Sequence, residues 1–213
     1  MAGFAQRRRV LRWMGAAGVL ALRPASAEAQ ELRPMPASTE GPFYPRTFPA
    51  DQDNDLTRVT GAAGVAAGTI LDLSGRILDR HGKPVDGALI EIWQCDVHGT
   101  YHYVGDAQPP ADPNFQGWGT DRVDAEGRYR FRTIRPVPYS GRTAHIHYTV
   151  RLGGKRVFTS QMYVEGEAGN ERDYLYRALG RDAKLATLKL EDAPASSGAK
   201  LRGLLDIVVT APG

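Results

Sequence analysis

The stretch Ile70-Leu71-Asp72-Leu73-Ser74-Gly75-Arg76-Ile77-Leu78-Asp79, then His81-Gly82-Lys83-Pro84, then Ala88-Leu89-Ile90-Glu91-Ile92-Trp93-Gln94, reads as strand, turn and strand. Short apolar-rich runs bounded by Gly and Pro behave this way, because those two residues supply turn geometry that a strand interior rejects. The signal recurs at Gly127-Arg128-Tyr129-Arg130-Phe131-Arg132-Thr133 and over residues 143–152, 157–164 and 204–210. Many short strands with turns between them predict an all-β fold, a β-sandwich, over residues 69–213. One short helix is expected over residues 171–179, with Asn170 placed to cap it, Glu171 and Asp173 suited to its first turn, and Gly180 ending it. Residues 30–68, rich in Pro, Gly, Asp and Ala and without periodicity, read as an extended arm packed over the domain. Residues 101–126 read as loops lining a site rather than as another paired strand.

The first 29 residues have a different character. Gln6-Arg7-Arg8-Arg9-Val10-Leu11-Arg12 precedes an apolar run, Arg23-Pro24 breaks it, and Ala25-Ser26-Ala27 supplies small residues of the kind a signal peptidase accepts. The apolar run, residues 13–22, is about half of the ~20 residues that span a bilayer, so a cleaved address is expected and a stable membrane anchor is not. The paired arginines resemble a twin-arginine export signal, which implies a periplasmic or extracellular destination. An ordinary secretory signal is the alternative, with cleavage after Ala27 or Ala29 in either case. Five arginines lie in the first 23 residues, with no acid before Glu28, and losing them turns a net charge of +3 into −2. That removes the main support for nucleic-acid binding. The single cysteine, Cys95, excludes an intramolecular disulfide and reads as a small buried side chain.

The candidate chemistry begins at Thr143-Ala144-His145-Ile146-His147-Tyr148-Thr149-Val150. Alternate side chains of a strand share a face, so His145 and His147 point one way and Ala144, Ile146, Tyr148 and Val150 the other. Two imidazoles so spaced can reach one metal ion. Alone, the pair reads more readily as the polar face of a half-buried strand. A cupin would need a nearby Glu and a third His, but the next acid is Glu165 and no His follows. A zinc or copper site drawing on His81, His98 or His102 stays open. Taken singly, Tyr101 and Tyr139 read as loop or core aromatics and Arg142 as a solvated charge. Trp93 and Trp118 read as packing residues, and His98 and His102 as exposed.

Several segments fall in one order. They are Glu91-Ile92-Trp93-Gln94 with Gly99-Thr100-Tyr101-His102; Gly117-Trp118-Gly119-Thr120-Asp121; the run from Gly127 through Arg135-Pro136-Val137-Pro138-Tyr139; Arg142-Thr143-Ala144-His145-Ile146-His147; and Thr159-Ser160-Gln161-Met162-Tyr163-Val164-Glu165-Gly166. Together they closely resemble the catalytic core of the intradiol ring-cleavage dioxygenases, most of all the protocatechuate branch. Thr39-Glu40-Gly41-Pro42-Phe43-Tyr44-Pro45 is similar too, so the resemblance covers residues 38–165. It implies a ferric ion, Fe(3+), held by Tyr101, Tyr139, His145 and His147, with Tyr101 and His145 equatorial and Tyr139 and His147 axial. It implies ring cleavage of a catechol-type substrate by O2 to a cis,cis-muconate. Tyr139 would take up a substrate proton, Arg142 would stabilise negative charge growing on the ring, and Gln161 would lie near the dioxygen site. Phenolates suit a hard trivalent ion, and two of them with one hydroxide balance its charge.

The chain departs from the protocatechuate enzymes between Tyr139 and Arg142, where only Ser140 and Gly141 stand in place of a longer insertion carrying a substrate-packing aromatic. A more open mouth is expected. Those enzymes also pair two related chains; no partner subunit is identifiable here, and a homo-oligomer is compatible with the sequence. A non-catalytic transthyretin-like β-sandwich is the alternative of a different class, since Gly82-Lys83-Pro84-Val85-Asp86-Gly87-Ala88 fits such modules.

Overall fold

The structure, a computed structural model, describes residues 31–103 and 110–210. The arginine-rich leader lies outside the described residues. Two five-stranded sheets face each other, as the strand pattern predicts. In the first, β1 (Ile70–Leu78) pairs antiparallel with β4 (Arg128–Ile134) on one edge, and on the other runs parallel to β9 (Leu201–Leu204) and β10 (Ile207–Val208). The short β8 (Leu190–Asp192) extends it beyond β9. The second has the order β3 (Trp118–Arg122), β2 (Leu89–Trp93), β5 (His145–Leu152), β6 (Lys155–Val164), β7 (Thr187–Leu188).

Strand alternation builds the core. Leu71, Leu73 and Ile77 of β1 and Tyr129 and Phe131 of β4 meet Ile90, Ile92, Ile146, Tyr148, Val150 and Met162 of the other sheet, all buried. The opposite faces carry charge, and Asp72 sits across from Arg132 in register with an ion pair of 2.9 Å.

Three expectations are corrected. First, residues 118–122 form a paired strand, β3, although they show no apolar alternation. Backbone pairing to β2 makes it, and its outer edge is covered by residues 52–53, whose carbonyls accept from Thr120 N at 3.2 Å. Second, of the single strand expected over residues 204–210 only Ile207–Val208 forms a strand (β10), while Leu204 ends β9. At the break Leu205 O turns in to accept from Tyr129 Oη at 2.7 Å, over Gly75, where a Cβ would lie 1.9 Å from that carbonyl. Third, α1 is only Tyr174–Ala178, and its cap is Asp173, whose side chain accepts from Leu175 N and Tyr176 N. Asn170 instead opens a short 3-10 turn and is spent on Thr143 Oγ1 and Val164 O. Gly180 follows the last helical cap with φ +55°, a left-handed conformation that glycine adopts without strain and that ends the helix.

Leu32 N and Met35 N bond to Arg80 O and Val208 O on the first sheet's side, and residues 36–39 then run across the outside of β6. Ser38 N donates to Thr159 O at 3.0 Å, and Ser160 Oγ to Pro36 O at 2.7 Å. Strand β5 is therefore buried on both faces over its first six residues. Among the described residues no helix is long and apolar enough to cross a membrane.

Candidate active site

Register on the second sheet sets the site. His147 lies opposite Trp93 on β2 and Gln161 on β6, and His145 opposite Tyr163, so these side chains share the face that looks away from the core. His145 Nδ1 donates to Thr143 O at 2.6 Å, which leaves the Nε2 lone pair facing outward. His147 Nε2 lies 3.1 Å from it. Trp93 stacks on the His147 ring, centroids 5.0 Å apart, which fixes its plane and accounts for the packing role expected of that tryptophan.

Loops deliver the two tyrosines. After β2, buried Asp96 accepts from His98 N and Thr100 N through one oxygen and from Asp112 N through the other, folding a tight loop that presents Tyr101. Tyr139 and Arg142 close a two-residue turn through reciprocal backbone bonds, with φ +42° at Ser140 and +79° at Gly141. Both central residues at positive φ define a type I′ turn, which the short Ser140-Gly141 connection permits. It places Tyr139 Oη 3.5 Å from His145 Nε2 and the Tyr139 ring 5.0 Å from that of Tyr101. A Cβ on Gly141 would meet nothing within 4 Å, and a cleft of about 420 Å3 opens beside Tyr139 and Arg142. A larger cleft of about 640 Å3 among Arg76, Asp121, Arg128 and Asp206 contains none of the predicted site residues.

Arg142 and Gln161 are also brought together. Arg142 Nη2 donates to Gln161 Oε1 at 2.6 Å and Arg142 Nε to Asp173 Oδ2 at 2.7 Å. Of the remaining histidines, His98 is exposed as expected. His102 is not: its side chain is only 12% exposed and lies 3.9 Å from Asp96. Cys95 is buried, its thiol pushed up to about 12 chiefly by desolvation, and donates to Val137 O at 3.7 Å.

The electrostatics fit a highly charged cation. Burial pulls His145 down to about 4 and His147 well below the ordinary imidazole range, so both rings are neutral and carry the lone pair a metal needs. Burial raises Tyr101 well above the usual phenol range and raises Tyr139 as well, with Arg142 pulling both partly back. Among the described residues Tyr101 Oη, which is buried, has no hydrogen-bond partner. A sealed phenol without an acceptor or donor is costly unless something else satisfies it. A trivalent ion that ionises both phenols and takes both imidazoles would do so with the donors present. Among the described residues no group of three or more His, Cys, Asp and Glu could hold a metal, which leaves the zinc arrangement with a third His or a carboxylate without support.

Two contributors were not visible as site residues beforehand. Phe43 stacks flat on Tyr101, centroids 4.5 Å apart and 9° between planes, and meets Tyr139 edge-on at 5.7 Å. Tyr44 anchors that segment by donating to buried Glu91 at 2.7 Å, with Arg151 bonded to both. Their only sequence signal was the short run around Gly41-Pro42, which says nothing about what it covers.

The β-sandwich thus gathers two tyrosines and two histidines into one cluster of phenol and imidazole donors. A family model described as "Dioxygenase" matches residues 39–208. The protocatechuate 3,4-dioxygenase beta chain of Burkholderia cepacia is 42% identical over 125 residues, 54% of this chain and 53% of that one. Catechol 1,2-dioxygenase 2 of Acinetobacter lwoffii is 31% identical over 166 residues, 70% of this chain and 58% of that one. Among solved structures, the dioxygenase domain of a dioxygenase–carbohydrate-binding fusion from Streptomyces sp. SirexAA-E is covered completely, at 29% identity and a TM-score of 0.66 over 84% of this chain. The chain belongs to the intradiol ring-cleavage dioxygenase family. It spans somewhat over half the length of these two curated relatives.

Proposed function

We propose that the protein is a non-haem Fe(3+) dioxygenase that opens a catechol-type ring between its two hydroxyl-bearing carbons with O2, giving a cis,cis-muconate-type product. The observation that carries this reading is the convergence of Tyr101, Tyr139, His145 and His147, with the Tyr101 hydroxyl buried and without a partner among the described residues. These four residues would hold a ferric ion, which would supply Lewis acidity toward a bound catecholate.

The chain's own residues divide the remaining work. Tyr101 is sealed and stacked, which suits a permanent ligand, whereas Tyr139 is half-buried beside the cleft, and its Oη is the one placed to accept a substrate proton. Arg142 brings a positive charge next to the donors, suited to negative charge developing on the ring. Gln161 is oriented by three bonds: Oε1 accepts from Arg142 and Tyr163, and Nε2 donates to Thr39 O. Phe43 roofs the tyrosines and limits water access. A non-catalytic transthyretin-like module would leave the orphaned buried phenol and the paired neutral histidines without a purpose. Export rests on the arginine-rich leader, and assembly of identical copies is compatible with the fold.

Oxygen uptake with a panel of catechols, coupled to product identification, tests the proposal. Ring opening between the hydroxyl carbons by a red-brown, iron-containing protein is the expected result. Opening outside them, or a colourless iron-free protein made with ample iron, overturns it.

A further inference from the structure

We infer that Asp173 is a positioning residue for the ring-opening step, holding the Arg142 guanidinium against the four-donor site; this rests on the intradiol reading above. Asp173 is 1% exposed and all its bonds are committed. Oδ1 accepts from Leu175 N at 3.0 Å and Tyr176 N at 3.1 Å, capping α1, and Oδ2 accepts from Arg142 Nε at 2.7 Å and Thr143 N at 2.9 Å. A carboxylate bonded through both oxygens to three backbone amides cannot rotate, so it is a fixed point against which a long side chain is set.

Arg142 needs such a point. It sits beside two buried histidines and the donors for a cation, and an unpaired guanidinium there would swing out toward water. The ion pair with Asp173 holds its Nε edge, and Gln161 holds Nη2. Tyr174, adjacent to Asp173 and 67% exposed, lays its ring 5.6 Å from the guanidinium carbon, closing the solvent side. The guanidinium is thus held from three directions. Placement to within an ångström is worth orders of magnitude in rate, which gives the carboxylate leverage on turnover without touching substrate.

The test compares Asp173→Ser, Arg142→Gln and the double variant in the iron-loaded enzyme. Serine retains an N-cap for α1 but lacks the second oxygen. Asp173→Ser is expected to keep its iron and its tyrosinate-to-iron absorption band, to change catechol KM little, and to lose about 10- to 100-fold in kcat. The double variant should be no slower than Arg142→Gln alone, because the aspartate acts through the arginine. Asp173→Asn, which keeps the side-chain volume and one capping oxygen, should show the same non-additivity and serves if the serine variant does not fold. Additive losses, unchanged kcat, or a loss that follows iron content through Thr143 and His145 would overturn the inference while leaving ring cleavage by the wild type intact. A wild-type protein that opens no catechol overturns the functional reading and this inference together.

Discussion

Replacing Tyr101 by phenylalanine should change stability in opposite directions with and without metal. The ring stays, with its face on Phe43 at 4.5 Å, and only the hydroxyl is lost. That hydroxyl is buried and, among the described residues, makes no hydrogen bond, and an unsatisfied buried polar group costs about 1–3 kcal/mol. Metal-free Tyr101→Phe is therefore expected to be about 1–3 kcal/mol more stable than the metal-free wild type. For a domain of this size 1 kcal/mol moves the melting temperature by about 2–4 °C, so the rise is about 2–12 °C. With iron the order reverses, because a ligand that binds only the folded state stabilises in proportion to the logarithm of its affinity, and one of four donors is gone. The assay is thermal unfolding of both proteins, iron-stripped and iron-loaded, with iron content measured alongside. A metal-free variant less stable than wild type by more than about 1 kcal/mol would show that the hydroxyl has a structural partner. An iron-loaded variant with wild-type iron content and visible spectrum would refute Tyr101 as a ligand.

Two further outcomes concern pH and packing. In the metal-free protein His145 titrates near 4 when folded, against about 6.5 when unfolded, so the unfolded state binds the proton first as pH falls. Stability present above about pH 6.5 should decline towards pH 4 by about 3 kcal/mol from this ring, with His147 adding in the same direction. Urea unfolding between pH 7 and 4.5 measures it, and a His145→Phe variant with an equally steep slope would contradict it. Gly75→Ala puts a Cβ 1.9 Å from Leu205 O and 2.9 Å from Tyr129 Oη, and should cost about 3 kcal/mol or more by forcing β1 and the β9–β10 crossing apart. A loss under about 1 kcal/mol in chemical unfolding would mean that the two backbones separate easily.

Local pattern carried much of this molecule. Alternation in residues 70–78 and 128–134 specifies strands because one face must be apolar and the other wet, and the same period of two puts His145 and His147 on one face whatever surrounds them. The ordered segments around Tyr101, Tyr139 and His145 pointed to the residues that cluster there and to the family. Strand β3 escaped notice because Trp118-Gly119-Thr120-Asp121-Arg122 has no such alternation, being held by backbone bonds to β2 and by the carbonyls of residues 52–53. Asp173 read as a first-turn acid, although its other oxygen answers Arg142 across 31 positions. The sequence by itself determined most of the strands, the sandwich class and the shared face of the two histidines. Only the tertiary structure decided what covers them and what aims the arginine, because stacking of Phe43 on Tyr101 and the Asp173 ion pair depend on distances between distant segments that no local pattern records.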